Sequence, residues 1–318
     1  MTQSGSRTLS DVGEFGAVNA LTSRLGLNDD VLVGPGDDAA LVAVSTGAVL
    51  VSTDLLVEGR HFRRDWSSAT DIGHKAAAQS FADITAMGGR PTAMVAALGA
   101  PGDLHLSWAL ELTDGLAAES AAAGASVVGG DLTASDAVVL AVTAMGVCDA
   151  GPPVRRTTAR VGDIVAVCGR LGWAAAGLAV LSRGFRSPRA VVDAHRRPSP
   201  PYSAGPEAVR LGATAMVDVS DGLLADLGHI AGGSGVAIDV RSGALSIPEP
   251  LAAVGAALGA DPFTFVLTGG DDHALAATFA PDVPLPEHWR VIGSVAEGSG
   301  VTVDAQTYAG APGHEHFR

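Results

Sequence analysis

Lysine is almost absent from this chain: Lys75 stands alone, and every other residue among the 20 Lys and Arg is arginine. Asp and Glu number 34, which leaves a formal net charge of −14. No basic stripe interleaved with aromatics occurs, so a nucleic-acid partner is excluded. Cysteine is scarce as well. Cys148 and Cys168 stand isolated in apolar contexts, which reads as two buried thiols and neither a disulfide nor a metal pair. No apolar run approaches the ~18 residues of a membrane span. Met1 to Arg7 have neither the charged nor the apolar region of a secretory signal. A cytoplasmic location without a membrane partner is the expectation. No G-x-x-x-x-G-K-[ST] sequence exists, and Lys75 falls in a helical stretch, so a Walker-type loop is excluded too.

What is present suffices for a sizeable core. The 318 residues are 47% hydrophobic, much of it Ala and Gly, and mean hydropathy is +0.30. That length predicts two domains. Strand and helix signals alternate through the first half. Val31–Val33, Ala39–Val44 and Val49–Thr53 read as strands; Asp71 reads as the N-cap of a helix over Ile72–Met87. Thr92–Leu98 is a further strand, Leu106–Ala123 a helix, and Ser126–Val128 and Ala137–Val147 are strands. Gly151-Pro152-Pro153 then breaks the pattern and divides the chain into domains 1–150 and 151–318. In the second half, strands are expected at Asp163–Cys168, Ala213–Val219, Val236–Val240, Phe263–Leu267, Ala274–Phe279 and Arg290–Ser294. Helices are expected at Gly172–Ser182, Ser203–Leu211 and Gly222–Ile230. Two α/β units result, and a cleft between such units is the natural place for a site.

Six aspartate-bearing segments carry the chemistry, nearly all at the end of an apolar, strand-like run: Gly36-Asp37-Asp38, Ser52-Thr53-Asp54, Asp83, Gly130-Asp131, Asp218-Val219-Ser220-Asp221-Gly222 and Gly270-Asp271-Asp272. Strand ends are where open α/β folds present ligand groups. Carboxylates gathered there repel one another unless cations lie between them. Hard oxygen donors without Cys or His favour Mg²⁺, which at such sites usually arrives with phosphates. The chain therefore reads as a Mg-nucleotide enzyme. Period-two geometry puts Ser52 and Asp54 on one strand face, with the Thr53 carbonyl still on offer. Asp83 sits among apolar helix neighbours, so it lies on the solvent face or is compensated by a metal or an arginine. Asp218-Val219-Ser220-Asp221-Gly222 starts like a calcium loop, but Leu223 and His229 occupy the places that need Gly and Glu, so an EF-hand is rejected. Arg155-Arg156 could counter nucleotide phosphates.

Taken together, these segments resemble the thiamine-monophosphate kinase family of the aminoimidazole ribonucleotide synthetase superfamily. The matching residues run from Gly13-Glu14-Phe15 to His316-Phe317. Between them lie Gly36-Asp37-Asp38-Ala39-Ala40, the stretch Ser52 to Phe62, Lys75 to Gly88, Gly129-Gly130-Asp131, Val219 to Leu223 and Gly270-Asp271-Asp272. The resemblance implies an α/β (α+β) fold of two α/β domains of that superfamily's type, with N-terminal halves pairing in a homodimer. The first would be the ATP/Mg-binding domain. The implied reaction passes the ATP γ-phosphoryl to thiamine monophosphate, giving thiamine diphosphate.

By the same resemblance Asp38, Asp54, Asp83, Asp131, Asp218 and Asp221 hold several Mg²⁺ or a monovalent cation such as K⁺. Ser52 and Thr53 add oxygen ligands. Asp54, Asp83, Asp131 and Asp221 serve catalysis in a metal cluster; Gly130, Asp131, Arg156 and Ser220 contact ATP; His61 and Asp271 contact the thiamine substrate. The chain departs from the family pattern in two places. Asp271 stands where the family usually has Glu, and the ending Gly313-His314-Glu315-His316-Phe317 lacks the aromatic often found near Ala311. Tyr308 is then the candidate to stack on the thiamine ring. A selenophosphate-forming relative would carry a reactive Cys or selenocysteine in its N-terminal loop, and no cysteine precedes Cys148. A silent nucleotide sensor is the other alternative; it would bind Mg-nucleotide without turning it over.

Overall fold

A computed structural model describes residues 7–35 and 39–315 of the chain. The described residues form two units: one holds those up to Ile84 with Arg90–Val147, the other Thr85–Gly89 with those from Cys148 onward. Both are mixed α/β, the class expected from the sequence. Among the described residues no single helix is long and apolar enough to cross a membrane.

In the first unit, helix α1 (Leu9–Thr22) starts at a capping box. Thr8 Oγ1 accepts from the Asp11 backbone N–H, and Asp11 Oδ2 accepts from that of Thr8. Next come a short antiparallel pair, β1 (Val31–Val33) and β2 (Leu41–Val42), then β3 (Leu50–Val57), α2 (Ala69–Ala86), β4 (Arg90–Ala100), α3 (Leu106–Ala122), β5 (Ser126–Ala134) and β6 (Val139–Val147). The four long strands make one sheet in the order β3-β6-β4-β5. Strands β4 and β5 are parallel, joined by the α3 crossover, and the other neighbours are antiparallel. Helices α2 and α3 cross backbone to backbone. A methyl on Gly73 would lie 2.1 Å from the Leu112 carbonyl oxygen, and one on Gly115 2.2 Å from that of Thr70.

Two expectations change in this unit. Helix α2 begins earlier than Asp71: Ser68 N–H donates to Asp71 Oδ2 at 3.0 Å and Asp71 N–H to Ser68 Oγ at 3.2 Å. Asp71 is therefore the acidic member of a capping box and Ser68 the cap. Strands β3 and β5 also run further, with ladder partners through Val57 and Ala134. Asp54 and Gly129-Gly130-Asp131 are thus inside strands, where cross-strand pairing outweighs the turn preference of their own residues.

The second unit contains β7 (Ile164–Cys168), α4 (Trp173–Ser182), α5 (Arg189–Arg196), α6 (Ala204–Arg210), β8 (Ala215–Val219), α7 (Leu223–Ser234) and β9 (Ala237–Val240). It continues with α8 (Glu249–Leu258), α9 (Pro262–Thr268), β10 (Ala274–Phe279), β11 (Arg290–Ala296), β12 (Gly300–Val303) and β13 (Gln306–Thr307). Its strands form one sheet, β13-β12-β9-β11-β7-β10-β8. β8 and β10 are buried along their whole length, which explains their unalternating apolar runs. Phe279 and Trp289 meet edge to face at 5.3 Å in a core shared with Met216 and Leu275. Helix α9 replaces the strand expected at Phe263–Leu267. Asp261 caps it by accepting the Phe263 N–H at 2.9 Å, and Pro262 takes the first helical position. Helices α5 and α8 have no counterpart among the expected elements.

Candidate active site

In the first unit, β3 and α2 each supply one serine and one aspartate. Ser52 and Asp54 alternate onto one face of β3, as expected. Ser52 Oγ donates to Asp83 Oδ2 at 2.5 Å, and Ser80 Oγ donates to Asp54 Oδ2 at 2.6 Å. The links are reciprocal: each element offers a hydroxyl to the other's carboxylate. Asp54 and Asp83 are half-buried and Ser80 is fully buried. Sequence reasoning did not single out Ser80. The signal was its place three residues before Asp83, on the same helix face. Thr53 points the other way, its Oγ1 donating to the Val142 carbonyl at 3.1 Å and lying 3.0 Å from Thr143 Oγ1. Its hydroxyl does not join the Ser52–Asp54 face.

Asp131 does not join that group either. It lies on β5, the sheet edge opposite β3, three strand spacings or about 14 Å away. The ladders align Asp131 with Ala97, Ala141 and Leu55, whereas Asp54 aligns with Val142, Ala96 and Gly130. Period two therefore assigns Asp131 and Asp54 of one chain to opposite faces, so within a single chain Asp131 does not meet Asp54 and Asp83 as expected. Gly130 and Asp131 instead line a cavity of about 90 Å³ walled by Leu21, Leu25, Leu116 and Leu132. A methyl on Gly130 would lie 1.9 Å from the Ala96 carbonyl oxygen, so the neighbouring strand alone requires this glycine. In the loop after β3, the Val57 N–H donates to His61 Nδ1 at 3.0 Å. Nδ1 is thus the acceptor, and the ring proton of the neutral form sits on Nε2. Asp38, with the rest of Gly36-Asp37-Asp38, lies outside the described residues, as do His316 and Phe317.

In the second unit, two turns meet. Asp218, buried near the end of β8, has its Oδ2 3.0 Å from His273 Nδ1. His273 Nε2 lies 3.8 Å from Asp271 Oδ1, and His195 Nδ1 of α5 lies 3.6 Å from Asp271 Oδ2. Burial alone would push the His273 pKa down; the hydrogen bond to Asp218, with the nearby Asp218 and Asp271 carboxylates, raises it to about 10. The Asp271 N–H donates to the Ser220 carbonyl at 2.8 Å, and that of His273 to the Val219 carbonyl at 3.0 Å. Gly270 is fixed by the same approach, since a methyl there would lie 2.0 Å from the Ser220 oxygen. Asp272 turns away and caps α4, accepting the N–H groups of Trp173 at 2.9 Å and Ala174 at 3.0 Å. Burial pushes its carboxyl up to about 7.

Asp221 gathers a different set. Ligand atoms of Asp221, Asp226 and His229 all lie within 4.8 Å of one another. Asp226 Oδ2 also accepts the N–H groups of Asp221 at 3.1 Å and Gly222 at 3.0 Å. Burial, then the Asp218 and Asp221 charges, push its carboxyl up to about 7 against those donors. Asp226 escaped sequence reasoning, although its place one turn into α7 makes it a natural acceptor for the preceding turn's free N–H groups. The His314 N–H donates to the Asp221 carbonyl at 2.9 Å, so the Gly313-His314 stretch lies against this turn. Ser220 and Tyr308 are half-buried, and Arg156 is exposed.

The carboxylate and hydroxyl oxygens of the first unit's group suit Mg²⁺; in the second unit the carboxylates stand beside His229, His273 and His195. Both cysteines are free; burial raises the pKa of each thiol, that of Cys168 to about 11, as suits inert thiols.

Residues 36–148 match the family model described as AIR synthase related protein, N-terminal domain. The chain is 46% identical over 314 residues to a thiamine-monophosphate kinase of Mycobacterium tuberculosis (strain ATCC 25618 / H37Rv), covering 98% of this chain and 94% of that protein. Among solved structures, thiamine-monophosphate kinase from Stenotrophomonas maltophilia K279a aligns with a TM-score of 0.79 at 36% identity, covering 91% of this chain and 95% of that one. AaThiL complexed with AMPPCP and TMP aligns with a TM-score of 0.81 at 31% identity, covering 98% and 99%.

Proposed function

The chain belongs to the thiamine-monophosphate kinase family, and from that membership we propose that it transfers the γ-phosphoryl group of ATP to thiamine monophosphate, releasing thiamine diphosphate and ADP. The observation that carries this reading is the 46% identity running through 98% of the chain.

Donor and acceptor are both anionic phosphates, so charge repulsion is the obstacle. Bound Mg²⁺ supplies neutralisation and alignment of the phosphates. In our reading Asp54 and Asp83 with Ser52 in the first unit, and Asp218 and Asp221 in the second, hold Mg²⁺ or a monovalent cation such as K⁺. Asp38 belongs to the same proposed ligand set. Ser52 and Ser80 keep the facing carboxylates in one orientation, so presenting them needs little rearrangement. The acceptor oxygen is already ionised at neutral pH. No general base and no phosphoenzyme are required, and displacement is direct and in line.

ATP contacts fall to Gly130, Asp131, Arg156 and Ser220, with the base in the apolar cavity beside Gly130. That cavity's leucine walls support the assignment. His61, with a donor at Nε2, and Asp271, an acceptor, contact the thiamine substrate; Tyr308 stacks on its ring. Two copies pair through the face of β3 that carries Val51 and Leu55, 60% and 53% exposed. A cytoplasmic location suits an enzyme that draws on ATP.

The test is product analysis with thiamine monophosphate, ATP and Mg²⁺, beside a control without acceptor. Thiamine diphosphate and ADP in equal amounts are expected. Folded protein that binds Mg-ATP yet forms no thiamine diphosphate would overturn the reading.

A further inference from the structure

His273 has no role in the reaction described above, yet it stands between two residues that do. It is 5% exposed. Its Nδ1 lies 3.0 Å from Asp218 Oδ2, and its Nε2 faces Asp271 Oδ1 at 3.8 Å. That Nε2 is buried and has no hydrogen-bond partner. A buried ring nitrogen in this state is uncommon, because leaving it unsatisfied is unfavourable. The remedy is close by, since a shift of less than an ångström brings the Asp271 carboxylate into hydrogen-bond range.

We propose that His273 is a positioning residue tying the metal-binding carboxylate of Asp218 to the acceptor-binding carboxylate of Asp271. The proposal rests on the roles given to those two aspartates under the proposed function. Backbone geometry fixes the arrangement on both sides. Asp271 and His273 take left-handed φ angles of 70° and 54°, which few non-glycine residues adopt unless their surroundings impose it. Asp272 between them is held at the start of α4 by both its oxygens. The N–H groups of Asp271 and His273 are bound to the carbonyls of Ser220 and Val219. The imidazole cannot leave Asp218 without disturbing the turn that carries Asp271. Cation binding at one end is therefore felt by acceptor binding at the other, and the effect is reciprocal.

Three variants separate the two ends. His273→Asn keeps a donor close to the Nδ1 position and suits a left-handed backbone. His273→Gln reaches towards the Nε2 position, and His273→Phe keeps the ring without either donor. Melting curves and circular dichroism establish folding. Mn²⁺ affinity is read by electron paramagnetic resonance at the site lost in Asp218→Asn, and thiamine monophosphate affinity by calorimetry. His273→Phe is expected to weaken each by about 10-fold or more. His273→Asn should restore Mn²⁺ binding but not acceptor binding, and His273→Gln the reverse, with KM for thiamine monophosphate following its affinity.

Should His273→Phe fail to fold, the Asn and Gln pair decides alone: a split between the two readouts supports the proposal. Equal losses in folded Asn and Gln variants reduce His273 to a packing residue and overturn it, as does wild-type binding in the folded Phe variant. Asp218→Asn with intact Mn²⁺ binding, or Asp271→Asn with intact acceptor binding, would instead remove the underlying roles and the proposal with them.

Discussion

Ser52 Oγ on β3 donates to Asp83 Oδ2 on α2 at 2.5 Å, and Ser80 on α2 returns the exchange to Asp54 on β3 at 2.6 Å. Two carboxylates from different elements are thereby held by hydroxyls that carry no charge. A lysine or arginine in either place would neutralise the carboxylate and compete with a cation; a serine orients it and leaves its charge available.

That relationship predicts a graded loss of activity. Ser80→Ala, which removes an orienting hydroxyl and no ligand, should lower Mg²⁺ affinity or turnover by about 10- to 100-fold. Excess Mg²⁺ should recover part of the loss. Asp54→Asn or Asp83→Asn removes a ligand and should cost at least about 100-fold in turnover, with no recovery at high Mg²⁺. Initial rates across a Mg²⁺ titration, on proteins with matched melting curves, separate the two classes. Near-normal turnover in both Asn variants would end the metal-ligand assignment.

A pair of neighbouring glycines makes a structural prediction. A methyl on Gly130 would meet the Ala96 carbonyl oxygen at 1.9 Å, while one on Gly129 finds nothing nearer than Val95 Cγ1 at 3.9 Å. Gly130→Ala should force β4 and β5 apart, with a loss of about 1–3 kcal/mol or more, whereas Gly129→Ala should be nearly silent. Urea unfolding of the two variants side by side is the measurement. Equal stability would mean that the strands separate freely at this point, contrary to the close approach described.

The same residues show what a sequence can disclose. The α/β class, most strand and helix positions and the aspartate segments follow from local pattern, because alternation and capping chemistry are short-range. Asp54 and Asp131 illustrate the limit. Both were legible as candidate ligands, but only strand order β3-β6-β4-β5 sets them at opposite edges, and strand order depends on contacts between distant residues. The pairing of Ser80 with Asp54 across 26 positions was hidden for the same reason. The stretch Phe263–Leu267 failed differently. Its β-favouring composition was outweighed by the Asp261-Pro262 start signal, which was present in the sequence and unused.

Glu207 predicts a pH dependence of stability away from the site. Its Oε2 accepts from Trp289 Nε1 at 2.9 Å and lies 2.6 Å from His288 Nε2. Burial works to raise its pKa, but the hydrogen bonds from His288 and Trp289 outweigh that and hold it below the ordinary 4.5. A carboxyl whose folded pKa is depressed contributes stability above its unfolded pKa and loses it as pH falls through the folded one. Glu207→Ala, which also leaves the Trp289 N–H without its acceptor, should destabilise by about 1–2 kcal/mol at pH 7. Glu207→Gln keeps an acceptor but does not titrate. The urea midpoint of the wild type should therefore fall towards that of the Gln variant on acidification below about pH 4.5. Parallel curves for the two proteins would show that Glu207 contributes nothing to acid sensitivity.

The exposed face of β3 carries the last prediction. Val51 and Leu55 are 60% and 53% exposed on an edge strand of the first unit's sheet. An apolar edge of this kind invites pairing with another chain. Each copy carries a net charge of −14, so long-range electrostatics oppose association and apolar burial must supply the attraction. Salt screens such repulsion beyond about 8 Å at physiological ionic strength and scarcely weakens apolar contact. The wild type is thus expected at twice 31.7 kDa by light scattering, with dissociation favoured at low salt. Val51→Asp with Leu55→Asp should give the single-chain mass at any salt concentration, while each folded chain changes in stability by no more than about 0.5 kcal/mol per exposed site. A wild type that stays at the single-chain mass in high salt would show that this face does not pair. Dissociation that increased with salt would mean that charge, and not the valine and leucine side chains, holds the copies together.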